Sequence, residues 1–229
     1  MAWKPPEGFD EYLKPTELCD CDNTMLKKKS DEIVKGAETA KEAALKIFYF
    51  VRDEISFGMD YPNAKASHTL KKEIGFCWTK TNLQIALLRA VGVPARCHYV
   101  HLSKELLKDI TPGFVYDKMP TVTGHPCCEC YLSEQWTACD ATLDEAYYKK
   151  ELRRGVLTEE QMPTIDWDGE NNLIPFKPWI AEDAGSFSSL DDVMREAGKR
   201  GEAVPLRNKF FGWLVFYLMN RRISEIRKG

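Results

Sequence analysis

Nothing in this 229-residue sequence is apolar for long enough to span a bilayer. The richest segment, Phe210–Met219, is about half of the roughly 20 residues that a spanning helix takes. Charge of one sign is also lacking: 32 Lys and Arg stand against 35 Asp and Glu, for a net charge of -3. That balance gives no reason to expect nucleic acid or an anionic membrane as a partner. The opening Met1-Ala2-Trp3-Lys4-Pro5-Pro6 has no basic stretch leading into an apolar one, so a secretory signal is not expected and a cytoplasmic location is. Histidine is scarce, with four in the chain, so any imidazole chemistry falls to His68, His98, His101 or His125. There is no internal repeat and no low-complexity tract. What the chain does hold is cysteine, eight of them, which is rich but below the density of a disulfide scaffold. In a cytoplasmic protein these are expected to be reduced, and most reduced cysteines are small core residues.

Length and a 44% apolar content fit one domain with embellishments. Residues 1–22, with three prolines and Cys19-x-Cys21, read as an arm wrapped on the surface. Thr39 and Glu42 have capping-box spacing. Behind them Ala44, Ile47, Phe48, Val51 and Ile55 recur at helical spacing, and residues 58–68 read as a loop. A second helix is predicted over 79–90, ended by Gly92 and Pro94. Strands are predicted over 96–102, 126–132 and 136–139, the last two as an antiparallel hairpin. Residues 155–187 read as a packed irregular segment or a lid. Ser189 can cap a helix starting at Leu190, and a final helix is predicted over 206–228.

Cys77 falls where the 79–90 helix should begin. A thiol there feels the positive end of the helix dipole and the unpaired first-turn N–H groups, both of which favour thiolate. The same N–H groups can bind an oxyanion, and Gly75 would let a substrate approach the backbone closely. A nucleophile needs a base, and the base an orienter. His125 opens the hairpin and Asp140 closes it, so the far ends of two adjacent strands bring imidazole and carboxylate together. Each residue alone has an ordinary reading: a buried cysteine, a loop histidine, a turn-forming aspartate. Together they supply three roles in a workable order.

The run Gly75-Phe76-Cys77, followed by Leu87-Leu88-Arg89-Ala90-Val91-Gly92-Val93-Pro94-Ala95-Arg96, resembles the nucleophile helix of the transglutaminase-like superfamily. His125 to Leu132, then Trp136 and Asp140-Ala141-Thr142, resemble that family's histidine and aspartate blocks. Residues 47–55 are similar to the helix before the core in stand-alone prokaryotic members. Over residues 30–145 the resemblance implies a papain-like α+β fold, with the nucleophile helix packed on an antiparallel sheet and extra N- and C-terminal helices. It also implies Cys77 as nucleophile, His125 as base and Asp140 as orienter. Cys127 departs from the family, which often has an aromatic there.

The expected organisation is a catalytic core over 1–150 and an irregular or helical extension over 151–229 packed on it. The expected chemistry is acyl transfer through a thioester at Cys77, by hydrolysis of an amide-like bond or transfer to an amine. The substrate would be a small-molecule or peptide amide or thioester, with no cofactor and no metal; a homo-oligomer is compatible with the sequence. Trp78 and Cys127, with Gly75, are candidates to line the site. Two other readings stand beside this one. The fold could serve as a catalytically silent binding module, with the final helix facing a partner. Alternatively Cys127-x-x-Cys130, with Cys19, Cys21 or Cys139, could hold structural zinc, although residues 127 and 130 would face opposite sides of a strand. His98 and His101 read as structural.

Overall fold

A computed structural model describes residues 3–200 and 209–229. In chain order the main elements begin with helices α1 (Thr24–Ile33) and α2 (Ala40–Asp53), then strand β1 (Ser56–Phe57) and helix α3 (Ala66–Lys72). Strand β2 (Ile74–Gly75), helix α4 (Cys77–Ala90) and strand β3 (Ala95–Ser103) follow. A short helix α5 (Gly113–Tyr116) leads to strands β4 (Val122–Leu132) and β5 (Gln135–Ala138) and helix α6 (Glu145–Arg154). The chain ends with strand β6 (Ile180–Phe187) and helices α7 (Leu190–Lys199) and α8 (Lys209–Lys228). The start of the last helix at Leu206, as predicted, lies outside the described residues.

Four strands form one antiparallel sheet in the order β5-β4-β3-β6, and β1 pairs with β2 in a small parallel pair. The β4–β5 hairpin turns on Ser133 and Glu134, both at positive φ, the backbone of a tight primed turn. Helix α4 lies on the sheet and is buried along almost its whole length, from Trp78 to Arg89. A helix buried on all sides has no amphipathic stripe, so its polar residues must find partners inside. They find backbone carbonyls: Thr81 Oγ1 donates to Pro126 O, Gln84 Nε2 to Cys139 O and Asn82 Nδ2 to Leu18 O. Arg89 reaches Ala95 O, Lys14 O and Ser188 O.

Several expectations need correction. The residues read as a 58–68 loop include the start of α3, and the strand 126–132 begins four residues earlier, at Val122, so His125 sits within a strand rather than opening one. Thr39 Oγ1 does accept the Glu42 N–H, but the Glu42 carboxylate takes the N–H of Glu38 instead of closing the box on Thr39. The irregular segment of the extension contains β6, a full edge strand on β3. Its sequence, IAEDAGSF, is acidic and interrupted by Gly185 at φ 85°, and the pairing shifts register twice, so it shows no period-two pattern. The capping of α7 by Ser189, whose Oγ accepts the Asp192 N–H, is as predicted.

Candidate active site

Cys77 is the first residue of α4. The N-cap position before it is Phe76, whose side chain has no oxygen to offer, so the first-turn N–H groups receive no side-chain cap. An N-cap of this kind costs about 1 kcal/mol against serine or aspartate. What it leaves is a set of donors at the positive end of a helix, aimed past the thiol. Of the eight cysteines, all free, Cys77 is the one that is half-buried; the other seven are buried. Burial pushes the thiols of Cys97, Cys127, Cys128 and Cys139 up, that of Cys128 to about 11, and contact with Cys139 together with burial does the same to Cys130.

His125 and Asp140 meet as the hairpin geometry predicts, with Nε2 to Oδ2 at 2.7 Å, both buried. The carboxylate is fixed from its other side by the Thr142 N–H, at 2.9 Å from Oδ1. The Cys77 thiol lies close enough to the same imidazole to act on its protonation. Burial pulls the imidazole pKa down, but the Asp140 charge, the neighbouring Cys77 and the hydrogen bonds to both outweigh it and push it up to about 10. For Asp140 burial acts upward, yet the His125 charge and the hydrogen bonds from His125 and Thr142 hold the carboxyl below its ordinary range.

Three side chains of α4 register the rest of the site on the nucleophile. Trp78 Nε1 donates to Gly124 O at 3.2 Å and Thr81 Oγ1 to Pro126 O at 3.0 Å, so the two carbonyls flanking His125 are both held by the helix that carries Cys77. Gln84 Nε2 donates to Cys139 O at 3.0 Å, one residue before Asp140. Gly124 is required as glycine: a Cβ there would lie 1.9 Å from the Tyr99 hydroxyl.

The remaining predicted site residues, Gly75, Trp78 and Cys127, are packed within the protein. A Cβ at Gly75 would fall 2.7 Å from Thr79 Oγ1 and 2.9 Å from Lys80 Cγ, so the close approach this glycine permits is that of the protein itself. Trp78 is 6% exposed and packs edge-on against Tyr99. Cys127 is buried opposite His98 in the β3–β4 register. Among the described residues no three His, Cys, Asp or Glu side chains are grouped to hold a metal ion, and the sulfurs of Cys130 and Cys139 are 3.9 Å apart. His98 is tied to Ser186 and Asp183, and His101 is buried near Glu182.

Sequence reasoning missed the part played by residues 172–176. Leu173 bridges to Cys139, its N–H bonding Ala138 O and its carbonyl accepting the Asp140 N–H, while Asn172 Oδ1 takes the Ala138 N–H. Phe176 then sets its ring edge-on to the imidazole of His125, 4.7 Å between centroids, closing that side to water. No local pattern marks these residues; only the fold brings them to the site. Lys80, three residues after Cys77, is fully buried, and burial lowers its pKa to about 7 against the opposing pull of Asp144, Asp140 and Asp53. Its Nζ donates to Arg52 O and Ile55 O, which join α4 to the end of α2.

A buried helix starting at a half-buried cysteine, packed on an antiparallel sheet that supplies a paired histidine and aspartate, defines a papain-like α+β protein. The profile of the Transglutaminase-like superfamily matches residues 27–141, and the chain belongs to that superfamily. The chain is similar in fold to a proposed cysteine protease from Cytophaga hutchinsonii, with a TM-score of 0.54 and 19% identity over 82% of this chain. It spans 49% of that protein's length. A weaker likeness, at TM-score 0.38 and 10% identity, covers 57% of the chain and 24% of a proposed protease from Parabacteroides distasonis. No curated protein matches in sequence. Among the described residues no helix is long and apolar enough to cross a membrane.

Proposed function

We propose that this protein is a cysteine-nucleophile acyl-transfer enzyme in which Cys77, His125 and Asp140 form the catalytic triad. The observation that carries the proposal is the junction of one half-buried thiol with a buried, carboxylate-paired imidazole at an uncapped helix start. Asp140 holds Nε2, which leaves Nδ1 to serve the thiol. With the proton on the imidazole, the Cys77 thiolate attacks the carbonyl carbon of an amide-like substrate. The first-turn N–H groups take the negative charge that forms on the carbonyl oxygen. As the tetrahedral intermediate collapses, the C–N bond breaks and the imidazolium gives its proton to the departing amine. A thioester at Cys77 remains. Water, deprotonated by the imidazole, attacks the thioester to give the acid and restore the thiol; an amine in the same place gives a new amide.

Hydrolysis of an amide-like bond is the proposed outcome. Incubation with p-nitrophenyl acetate tests the chemistry: a burst of one p-nitrophenol per chain is expected, with one acetyl group on Cys77 by peptide mass spectrometry. Cys77→Ser and His125→Ala should abolish the burst. No acetyl group on Cys77, or a burst undiminished in His125→Ala, contradicts the triad.

A further inference from the structure

A cavity reaches the start of α4 at Trp78, whose indole also holds the carbonyl of Gly124 beside His125. It has a volume of about 980 Å³ and runs from Trp78, the residue after Cys77, to the 60–68 segment and α7. That size is in the range that holds a ligand, roughly 300–1,000 Å³. Pro62, Met194 and Ala197 give it apolar walls together with Trp78.

Its chemistry is set by Asp60 and by the cations around it. Asp60 is 5% exposed, yet it lines the cavity. Its Oδ1 pairs with Lys72 Nζ at 2.8 Å, while its Oδ2 has no hydrogen-bond partner among the described residues, with His68 Nε2 3.7 Å away. A buried carboxylate oxygen left without a donor is unfavourable, so a donor brought by a ligand is favoured there. The segment is already in place to receive one, because Asn220 clamps the residue before it, accepting the Met59 N–H at 2.6 Å and donating to Met59 O at 2.9 Å. Among the described residues of the lining, Lys65 and Lys71 are exposed and Asp60 is the one acidic group. These described residues give the cleft an excess of positive charge, and a ligand ammonium on Asp60 would meet the two lysines; a neutral N–H would not.

We propose that this cavity is the substrate's recognition subsite and takes a peptide-like amide bearing a carboxylate, its N–H donating to Asp60 Oδ2 and its carboxylate lying between Lys65 and Lys71. The proposal rests on Cys77 being the nucleophile and names the substrate class for that site.

Three bromoacetyl dipeptide amides of similar size, ending in glutamate, glutamine or lysine, test it, with iodoacetamide as the small control. In each case the Cys77 thiolate displaces halide and a thioether forms. The glutamate probe is expected to alkylate Cys77 about two- to fivefold faster than the glutamine probe, the scale of one exposed ion pair, and the lysine probe slowest. In the Lys65→Ala/Lys71→Ala variant the three should react alike. Asp60→Asn should slow all three relative to iodoacetamide. Both lysines are exposed, so the double variant keeps the fold and decides the matter if Asp60→Asn does not fold. Equal rates in the wild type, a fastest lysine probe, or an order that survives the double variant overturns the subsite. If iodoacetamide itself labels Cys77 no faster than the buried thiols, the nucleophile assignment fails and this proposal with it.

Discussion

At the scale of single residues, two buried bases pull stability in opposite directions with pH. His125 has its pKa raised from 6.5 to about 10, so its contribution is fully present below about 6.5 and is lost as pH rises through about 10. Lys80 has its pKa lowered from 10.5 to about 7, so the unfolded chain binds the extra proton between those values and stability rises with pH there. A neutral amine also has two N–H groups for the two carbonyls it meets, Arg52 O and Ile55 O. The wild-type protein should therefore show a shallow profile between pH 7 and 10. Urea denaturation should find stability falling over that window in Lys80→Met and rising in His125→Ala; parallel profiles in the two variants would sink this account. The helix start at Cys77 and the pairing of His125 with Asp140 were legible in the sequence, although His125 lies inside its strand and not at its end. Lys80 as a buried base was not, since nothing in its neighbours tells a buried lysine from a solvated one.

At the scale of elements, α4 does more than carry the thiol. Its side chains grip the carbonyls on both sides of His125 and the one before Asp140, so helix register and triad register are the same variable. Thr81→Val keeps the shape and removes one of these bonds, leaving Pro126 O buried without that donor. A stability loss of about 1–2 kcal/mol is expected. Acetylation of Cys77 should slow by about tenfold, the rate cost of a small misplacement of the base. A variant as destabilised as this but with wild-type acetylation would contradict the positioning role. The sequence told that 79–90 is a helix from its apolar residues, but not that its threonine and glutamine are internal: that follows only from burial on every side. The missed strand β6 has the same cause, since an edge strand with acidic residues and two register shifts carries no alternation to read.

At the scale of the whole molecule, α8 bolts the far end of the chain to the core. Arg227 forms a double ion pair with Asp144 and also donates to Phe57 O, while Asp144 caps α6 and accepts the Phe57 N–H at 2.7 Å. Burial acts upward on the Asp144 carboxyl, and Arg227 with the backbone donors holds it below its ordinary range. Arg227→Ala should cost about 2–3 kcal/mol at neutral pH, by thermal or urea melting. The gap from wild type should close as pH falls and Asp144 takes a proton, because a depressed carboxyl contributes stability above its unfolded value and loses it in acid. An equal cost at pH 7 and pH 3 would contradict this. The basic last turns of the helix were plain in the sequence. Their partner, 83 residues earlier, was not, because long-range ion pairs leave no local trace.

The central claim is that Cys77 and His125 act as one unit. The most direct test is the rate of iodoacetamide alkylation at each of the eight cysteines against pH, in the wild type and in His125→Ala. Cys77 should react fastest of the eight at pH 6 and lose that lead in the variant, while the seven buried thiols stay slow in both. A Cys77 that is slow at pH 6, or equally fast without His125, would contradict the assignment of a catalytic pair.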